Sequence, residues 1–484
     1  MPVSPSFTAA TPFYDLSPDD GAPFFDAVEP ADFPVLTLRY RNNVAAQAVG
    51  LSTLTDEEWL AHFGQFDPLG GAQEKPIALR YHGHQFRHYN RDIGDGRGFL
   101  FAQLYDETGR LLDIGTKGSG QTPYSRSGDG RLTLKGGVRE ILATEMLEAL
   151  GVYTSKTLSV IETGEALYRG DEPSPARSCV LCRLSHGHVR FGMFQRLAYE
   201  QDDSGIEKLV NYCLTHLMQG ENANGDTGQI IGFFDAVIRR SAKLAATWMA
   251  AGFVHGVLNT DNMNVTGESF DYGPWRFLPT ADPGFTAAYF DQTGLFAYGR
   301  QPEAVGWNLA QLGGALSRIA PVEALTQSLS AYPTLYEQCA EKAFARRFGL
   351  SSFGQPEISD ESPVMSLLKW TGETGASFEH VFFDWFARGG EAGGTHDESP
   401  QAGLYERQDF APIRQALESG TPSPDAARAH AYFDRSAPVT LLIDEVEAVW
   451  APIAQDDDWS AFEKKIADIR LMGEALALAA MPSD

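Results

Sequence analysis

Short apolar runs separated by glycine turns mark the chain between about residues 80 and 200. Runs of this length and composition predict β-strands. One segment among them instead has apolar positions three and four residues apart, which predicts a helix. We therefore predict a β-rich unit with one helix, built from GFLFAQLYD, LLDIGTKG, GGVREILATEMLEAL, LSVIETGEALYRG and RSCVLCRL.

From about residue 200 to 350 the apolar positions change to the helical period. The change is clearest in IIGFFDAVIRRSAKLAATWMAAG and AVGWNLAQLGGALSRI. Beyond residue 350, loops rich in Gly and Asp precede acidic amphipathic helices. The first 35 residues are rich in Pro, Asp and Phe, and this composition predicts an arm that lies on the rest of the protein.

These changes divide the chain into four predicted parts. They are an N-terminal arm and lead-in (1–79), a β-rich lobe (80–200), a helical lobe (201–349) and an acidic, mostly helical C-terminal extension (350–484). A β-rich lobe followed by a helical lobe is the order of parts in a protein kinase. We therefore predict the α+β class and a protein-kinase-like bilobal fold.

Composition limits the possible partners of this chain. Its 484 residues are 43% hydrophobic and 11% aromatic, enough to fill substantial cores. The formal charge of −26 argues against nonspecific binding to nucleic acid or to an anionic membrane, because both need a basic surface. Any polyphosphate site must therefore be a local basic pocket.

No targeting or spanning segment is expected. The first 38 residues contain neither Lys nor Arg, unlike signal and transit peptides, and no run approaches the roughly 18 apolar residues of a membrane helix. Four cysteines make no disulfide framework, and we expect a cytoplasmic protein. Cys179 and Cys182 form a C-x-x-C within an apolar run, which favours a structural strand over a zinc or redox site.

The segment FVHGVLNTDNMNV (253–265) resembles a kinase catalytic loop, His-x-Asp-Leu-x-x-x-Asn, that lacks its aspartate. His255, Leu258 and Asn262 keep the kinase spacing, but Val257 stands where the proton-accepting Asp belongs. Asp261 lies next to Asn262 and is a candidate to accept the proton instead. The alternative is that Asp261 is only a turn or capping residue.

Nine residues after Asn262 comes DYG (271–273), in the place of the metal-binding Asp-Phe-Gly of kinases. Asn262 and Asp271 would then supply two oxygen ligands to magnesium (Mg²⁺). Magnesium typically takes few protein ligands beside the phosphates of a nucleotide.

Other kinase-like parts precede this loop. DIGDGRG (92–98) comes before a predicted strand, as a phosphate-binding glycine loop would, and Arg97 within it could contact phosphate. A plain glycine turn is the alternative. Lys117 ends the strand LLDIGTKG, where kinases place a phosphate-binding lysine. Glu140 in the following helix could pair with Lys117, with Glu145 as the competing candidate.

Six blocks in this order resemble the selenoprotein O protein adenylyltransferases, also called the YdiU or UPF0061 family. They are YHGHQF, IGDGRG, DIGTKGSGQTPYSRSGDGRLTLKGGVREILATEML, HVRFGMFQ, FVHGVLNTDNMNVTGESFDYGPWRFL and YGRQPEAVGWNLAQL. The resemblance spans roughly residues 80–315. It implies a kinase-like fold that binds ATP in a flipped orientation and transfers AMP to Ser, Thr or Tyr hydroxyls of proteins, with release of pyrophosphate. Bacterial members are also described as using UTP with manganese (Mn²⁺).

The resemblance also implies roles for individual residues. Asp261 would accept the proton, and Asn262 and Asp271 would bind the metal. The implied nucleotide contacts are Gly94, Gly96, Arg97, Lys117, Asp129, Gly130, Arg183, Arg190 and Asp271. A flipped triphosphate needs cations where adenosine would otherwise lie, and guanidinium groups bind phosphate bidentately.

The chain also departs from the family pattern. Arg87 and Gly98 stand at altered positions of their blocks, residues 350–484 match the family poorly, and no cysteine follows Cys339. Three functions remain open at this point: an AMP transferase, a kinase-like phosphotransferase, and an inactive ATP-binding scaffold. A kinase usually keeps the Asp that Val257 replaces, and a scaffold need not keep Lys117, Asn262 and Asp271 together.

Overall fold

The structure is a computed structural model, which describes residues 7–170, 172–219, 226–355, 361–387, 399–424, 426 and 429–478. The strands in these ranges are β1 (Thr8–Ala10), β2 (Phe25–Ala27), β3 (Thr37–Arg41), β4 (Ile77–Leu79), β5 (Gly83–Gln85), β6 (His88–Asn90), β7 (Leu100–Tyr105), β8 (Leu111–Lys117), β9 (Leu132–Thr133), β10 (Lys156–Leu167), β11 (Ala176–Ser185), β12 (Phe253–His255), β13 (Trp275–Phe277), β14 (Leu350–Ser352) and β15 (Thr421–Pro422).

The helices in the same ranges are α1 (Asn43–Ala48), α2 (Asp56–Phe63), α3 (Leu134–Ala149), α4 (Phe191–Glu200), α5 (Asp203–Tyr212), α6 (Asp226–Ala250), α7 (Gln301–Leu316), α8 (Val322–Leu329), α9 (Tyr332–Arg347), α10 (Pro363–Thr374), α11 (Phe378–Trp385), α12 (Ala402–Tyr405), α13 (Ala411–Glu418), α14 (Ile443–Asp456) and α15 (Ser460–Leu476). The chain is therefore mixed, with most strands before residue 186 and mostly helices after it. This is the order that the apolar pattern predicts.

The central feature of the described residues is a nine-stranded antiparallel sheet. Its strand order is β2-β4-β7-β8-β11-β10-β3, with β1 paired to β7 and β9 paired to β11. Strands β7 and β8 are buried along nearly their whole length, so both faces of the sheet are covered. One face packs on α3 through Leu100, Leu111 and Val138, and the other packs on α2 through Phe101, Leu112 and Trp59.

The segment predicted as an arm contributes to this sheet. Strands β1 and β2 pair with β7 and β4, and Phe13, Phe24 and Phe25 are buried beside them. Burial of an aromatic side chain contributes roughly 1.5–3 kcal/mol. The Phe-rich composition of this segment therefore corresponds to packing against the sheet.

The C-x-x-C pair lies within strand β11, as predicted. Cys179 and Cys182 are both buried. Burial raises the pKa of both thiols, that of Cys182 to about 12, so neither is a thiolate near neutral pH. The structural interpretation of this pair is confirmed.

The segment that carries Asp261 lies between two short paired strands. Helix α6 leads into β12, and β12 pairs with β13 so that Phe253 faces Phe277 and His255 faces Trp275. Helix α7 holds the segment in place, because Gln301 accepts a hydrogen bond from the backbone N–H of His255. The residues between the two strands therefore form one closed loop.

The C-terminal helices cover the outer side of α3. Arg470 of α15 donates two hydrogen bonds to Glu145, at 2.8 and 2.7 Å. Tyr40 of β3 donates to the same carboxylate at 2.6 Å. Glu145 thus joins three distant parts of the chain. No helix in the described part of the chain is long and apolar enough to span a membrane.

We predict that Arg470→Ala destabilises the protein by about 1.5–3 kcal/mol, the usual contribution of hydrogen bonds to a charged group. The side chain of Glu145 is only 7% exposed, so removal of its cation leaves a poorly solvated charge. Equilibrium urea unfolding would measure the loss. Lys464→Ala is the matched control on the same helix, because Lys464 is 74% exposed in its pair with Asp468 and should contribute under about 1 kcal/mol. Equal losses from both variants would contradict this role of Glu145.

We also predict a pH-dependent effect of the buried carboxyl of Glu268. Burial raises its pKa to about 8, although it accepts a hydrogen bond from the backbone N–H of His186 at 2.9 Å. A folded-state pKa above the unfolded value means that the folded state binds the extra proton, so stability is lost as pH rises toward 8. Glu268→Gln keeps the acceptor and removes the titration. The unfolding free energy of Glu268→Gln minus that of the wild type should increase by up to about 1.4 kcal/mol per pH unit between pH 5 and 8. Parallel pH profiles of the two proteins in urea unfolding would refute this prediction.

Candidate active site

A cavity of 790 Å³ brings the predicted site residues together. Ten of the eleven residues predicted to bind nucleotide or metal or to accept the proton line it, all except Asn262. The ten are Gly94, Gly96, Arg97, Lys117, Asp129, Gly130, Arg183, Arg190, Asp261 and Asp271. They come from positions up to 177 residues apart in the chain, so the fold rather than local sequence assembles this cavity.

The glycine loop 92–98 needs its small residues for close packing. A Cβ atom on Gly94 would lie 2.4 Å from the ring of Tyr124, and one on Gly98 would lie 2.0 Å from the carbonyl oxygen of Thr116. The altered position 98 therefore accepts only glycine in this backbone. Arg97 is exposed and lines the cavity, where its cation can meet an anionic ligand.

A second glycine-containing loop, around Asp129 and Gly130, forms another part of the rim. Gly130 has a φ of 72°, and a Cβ atom there would lie 2.2 Å from the backbone of Gly120. Asp129 accepts two hydrogen bonds from Arg169, at 2.8 and 3.1 Å. Burial acts to raise the pKa of Asp129, but the hydrogen bonds and charges of Arg169 and Arg131 together outweigh burial and lower the pKa.

Lys117 joins the sheet to two carboxylates on the walls of the cavity. Its ammonium contacts the carboxylate of Glu140 on α3 and lies 2.7 Å from Oδ1 of Asp271. The predicted pairing of Lys117 with Glu140 is therefore confirmed as a contact. Glu145, the competing candidate, faces Arg470 instead.

Two buried arginines supply positive charge on the inner wall. Arg183 and Arg190 are 6% and 3% exposed. Nε and Nη1 of Arg183 and Nε of Arg190 are buried without a hydrogen-bond partner among the described residues. Burying these N–H donors without acceptors costs free energy. An anionic ligand would remove that cost by accepting their hydrogen bonds. Without the resemblance, the sequence indicates only surface charges at these two positions.

Asp271 is held as a carboxylate. Burial alone would raise its pKa, but Lys117, Arg183 and Arg190 together lower that pKa well below its usual range. Its φ of 62° lies in the left-handed region, which is unusual for a residue other than glycine. The surrounding contacts must maintain this backbone conformation.

The residues at this position fit a divalent metal ion. Asn262 lies in the turn Thr260–Asn262, and its amide Nδ2 donates to the carbonyl of Val257 at 2.9 Å. This bond leaves Oδ1 of Asn262 available as an oxygen ligand, and Asp271 offers ionised oxygens. Magnesium prefers such oxygen donors and few of them. The described residues contain no cluster of three or more His, Cys, Asp or Glu that could hold a metal without phosphate oxygens.

Asp261 is a buried carboxyl that faces the cavity. Burial raises its pKa to about 6. Its Oδ2 accepts a hydrogen bond from Gln85 at 3.4 Å, while its Oδ1 has no partner within the part of the chain that the structure describes. A buried carboxylate oxygen that faces the cavity without a partner is what a proton acceptor needs.

Several lining residues were missed by the sequence-based prediction. Asp95 accepts a hydrogen bond from Arg190 at 3.2 Å and is held by the backbone N–H of Leu79. His188 faces Asp113 at 3.0 Å and borders the cavity. Asp95 lies inside the glycine block and Gln85 inside YHGHQF, so both blocks carried a signal. His188 is the first residue of the block HVRFGMFQ, so this block carried a signal as well.

The family model and the relatives found by comparison with known proteins indicate the same family. The family model described as "Protein adenylyltransferase SelO" matches residues 11–470. A protein named "Protein nucleotidyltransferase YdiU" from Synechocystis sp. is 42% identical in an alignment 465 positions long that covers 93% of this chain and 96% of the relative. A relative of the same name from Gloeobacter violaceus is 42% identical in an alignment of 462 positions that covers 93% of each chain. Another, from Synechococcus elongatus, is 37% identical in an alignment of 509 positions, gaps included, that covers 99% of this chain and 96% of the relative.

These matches correct one prediction from the sequence. The resemblance was expected to end near residue 315, with a poor match over 350–484, but the family model continues to residue 470. The six signature blocks that carried the resemblance all lie before residue 316, so they gave no signal for the C-terminal extension. The match over residues 11–470 and the identities above show that the chain belongs to the SelO family of protein adenylyltransferases.

Proposed function

We propose that this protein is an adenylyltransferase that moves AMP from ATP to Ser, Thr or Tyr hydroxyls of other proteins and releases pyrophosphate. The fold that we propose for it is kinase-like and bilobal, with the sheet and α3 as one lobe (80–200) and the helices from α4 onward as the other (201–349). Residues 1–79 and 350–484 would then support these lobes from outside.

The observation that carries this proposal is the charge at the buried side of the cavity. Arg183 and Arg190 are almost fully buried, whereas Arg97 and Tyr168 are exposed at the rim. A buried end lined with arginine suits phosphates and would disfavour an apolar adenine base. The triphosphate would therefore enter first and leave the nucleoside nearer the rim, with the α-phosphate presented to the acceptor.

The proposed reaction uses residues that line this one cavity. Asp261 would take the proton of the acceptor hydroxyl at its unpartnered Oδ1 as the hydroxyl oxygen attacks the α-phosphorus. The bond from that phosphorus to the bridging oxygen breaks, and pyrophosphate leaves toward Arg183 and Arg190. Lys117, oriented by Glu140, would hold the phosphates.

A divalent ion held by Asn262 and Asp271, Mg²⁺ or Mn²⁺, would neutralise phosphate charge in the closed cavity. We propose ATP as the nucleotide and UTP as a second one. The relatives' shared name, protein nucleotidyltransferase, is compatible with either nucleotide. We further propose that the protein acts in the cytoplasm on protein substrates, without nucleic-acid or membrane partners.

Incubation with ATP labelled at either the α- or the γ-phosphate, with a soluble bacterial protein extract as acceptor, tests this function. We expect label on protein from the α-position only. Label from the γ-position only would identify a kinase, and label from neither position would identify an inactive nucleotide-binding scaffold. Asp261→Asn should lower α-label transfer by about 10²–10⁴-fold with nucleotide affinity unchanged, because the amide cannot accept the proton.

Val257→Asp is the matched variant for that experiment, because it puts an aspartate at the position where a kinase catalytic loop has one. We expect no γ-label transfer from Val257→Asp, since the γ-phosphate would still face Arg183 and Arg190. Transfer of γ-label by this variant, or undiminished α-label transfer by Asp261→Asn, would refute the assignment of the base.

We also predict that Lys117 and Glu140 act as one unit. Lys117→Ala should lower transfer by about 10²–10³-fold, as the loss of a charge-stabilising donor typically does. Glu140→Gln should cost less, because Asp271 still holds the lysine from the other side at 2.7 Å. The double variant should be no slower than Lys117→Ala alone. Multiplicative losses in the double variant would show that the two residues act separately.

A further inference from the structure

The hairpin β5–β6, residues 83–90, lies directly against the turn that carries Asp261. Its two strands pair so that Gly83 faces Asn90 and Gln85 faces His88. At its tip, Phe86 and Arg87 have φ values of 49° and 64°, the left-handed conformation that a two-residue hairpin turn requires. Because neither residue is glycine, the hairpin must be held by contacts outside itself.

Backbone groups of the hairpin fasten it to the catalytic turn. The N–H of His84 donates to Oγ1 of Thr260 at 2.7 Å, and the N–H of Phe86 donates to Oδ1 of Asn259 at 3.0 Å. The hydroxyl of Thr260 in turn donates to Oε1 of Gln195 on α4 at 2.6 Å. These hydrogen bonds therefore fix the hairpin to the two residues before Asp261.

The side chain between these two anchors points at the base. Gln85 lines the cavity, and its Nε2 lies 3.4 Å from Oδ2 of Asp261. The direction of this amide is set, because Asn90 donates to Oε1 of Gln85 at 3.0 Å. With its oxygen occupied, Gln85 can present only its N–H₂ group to Asp261.

The first residue of the hairpin leaves room for the other oxygen of the base. A Cβ atom on Gly83 would lie 2.9 Å from Oδ1 of Asp261, closer than real contacts allow. Glycine therefore lets Asp261 keep a position in which Oδ2 is bonded to Gln85 and Oδ1 is unpartnered among the described residues. The carboxylate has one oxygen held and one available.

We propose that the hairpin 83–90 aims Asp261 and that Gln85 is a positioning residue for the proton transfer. This inference rests on the proposed function. Gln85 selects the orientation in which Oδ1 receives the proton of the acceptor hydroxyl, and Asn90 sets the orientation of Gln85. Loss of a hydrogen bond to a charged group should lower turnover by about 10- to 100-fold.

The test is a double-mutant cycle on the rate of α-label transfer from ATP to proteins of the extract. Gln85→Ala should lower kcat in the wild-type background, leave the KM for ATP unchanged, and have no further effect in the Asp261→Asn background. Asn90→Ala should cause a smaller loss that disappears in the Gln85→Ala background. His88→Ala is the control, because His88 is exposed on the same hairpin. It should keep the wild-type kcat.

An equal loss from Gln85→Ala in both backgrounds, or a changed KM for ATP with kcat intact, would overturn the proposal, since Gln85 would then act elsewhere. Failure of the proposed function would look different, because the wild type itself would transfer no α-label. In that case, crystal structures of the wild type and Gln85→Ala would test whether Gln85 sets the orientation of the Asp261 carboxylate. We expect the carboxylate of Asp261 to rotate in the variant, and an unchanged carboxylate would overturn the inference.

Discussion

The buried contact of Lys117 with two carboxylates is the interaction on which the rest of the cavity depends. One ammonium at the end of β8 meets Glu140 from α3 and Asp271 from the loop between β12 and β13. Removing charges from water costs several kcal/mol each, so such a cluster persists only when every member is paired. The cluster therefore fixes the distance between the sheet, its covering helix α3 and the loop between β12 and β13. It also keeps Asp271 ionised in a strained backbone conformation.

The same cavity contains positive charge that the protein leaves partly unsatisfied. Guanidinium nitrogens of Arg183 and Arg190 are buried without partners in the described part of the chain. An enzyme gains from groups that are arranged before the substrate arrives, because the cost of ordering them is met in folding. Phosphate oxygens would satisfy these donors. In the proposed function, buried arginines would favour both the affinity for a triphosphate and its orientation, whereas a surface arginine would favour only the affinity.

The outer segments of the chain stabilise this arrangement from a distance. Strands β1 and β2 belong to the sheet from which Lys117 projects, and α15 reaches Glu145 of α3, five residues after Glu140. A helix held on both sides keeps its carboxylates in register. The family match extends to residue 470 and so includes Arg470, which makes this contact with Glu145.

The sequence by itself determined the order of strands and helices, the replacement of the kinase aspartate by Val257, and the short-range motifs. These features depend on local periodicity and on spacings within one loop. It also indicated Lys117, Glu140 and Asp271 through their kinase-like positions, and Asp261 through its place next to Asn262. Only the tertiary structure decided between Glu140 and Glu145. Both lie on α3 five residues apart, and their partners, Lys117 and Arg470, come from distant parts of the chain. It alone placed Gln85 against Asp261, because a contact across 176 residues leaves no trace in local pattern.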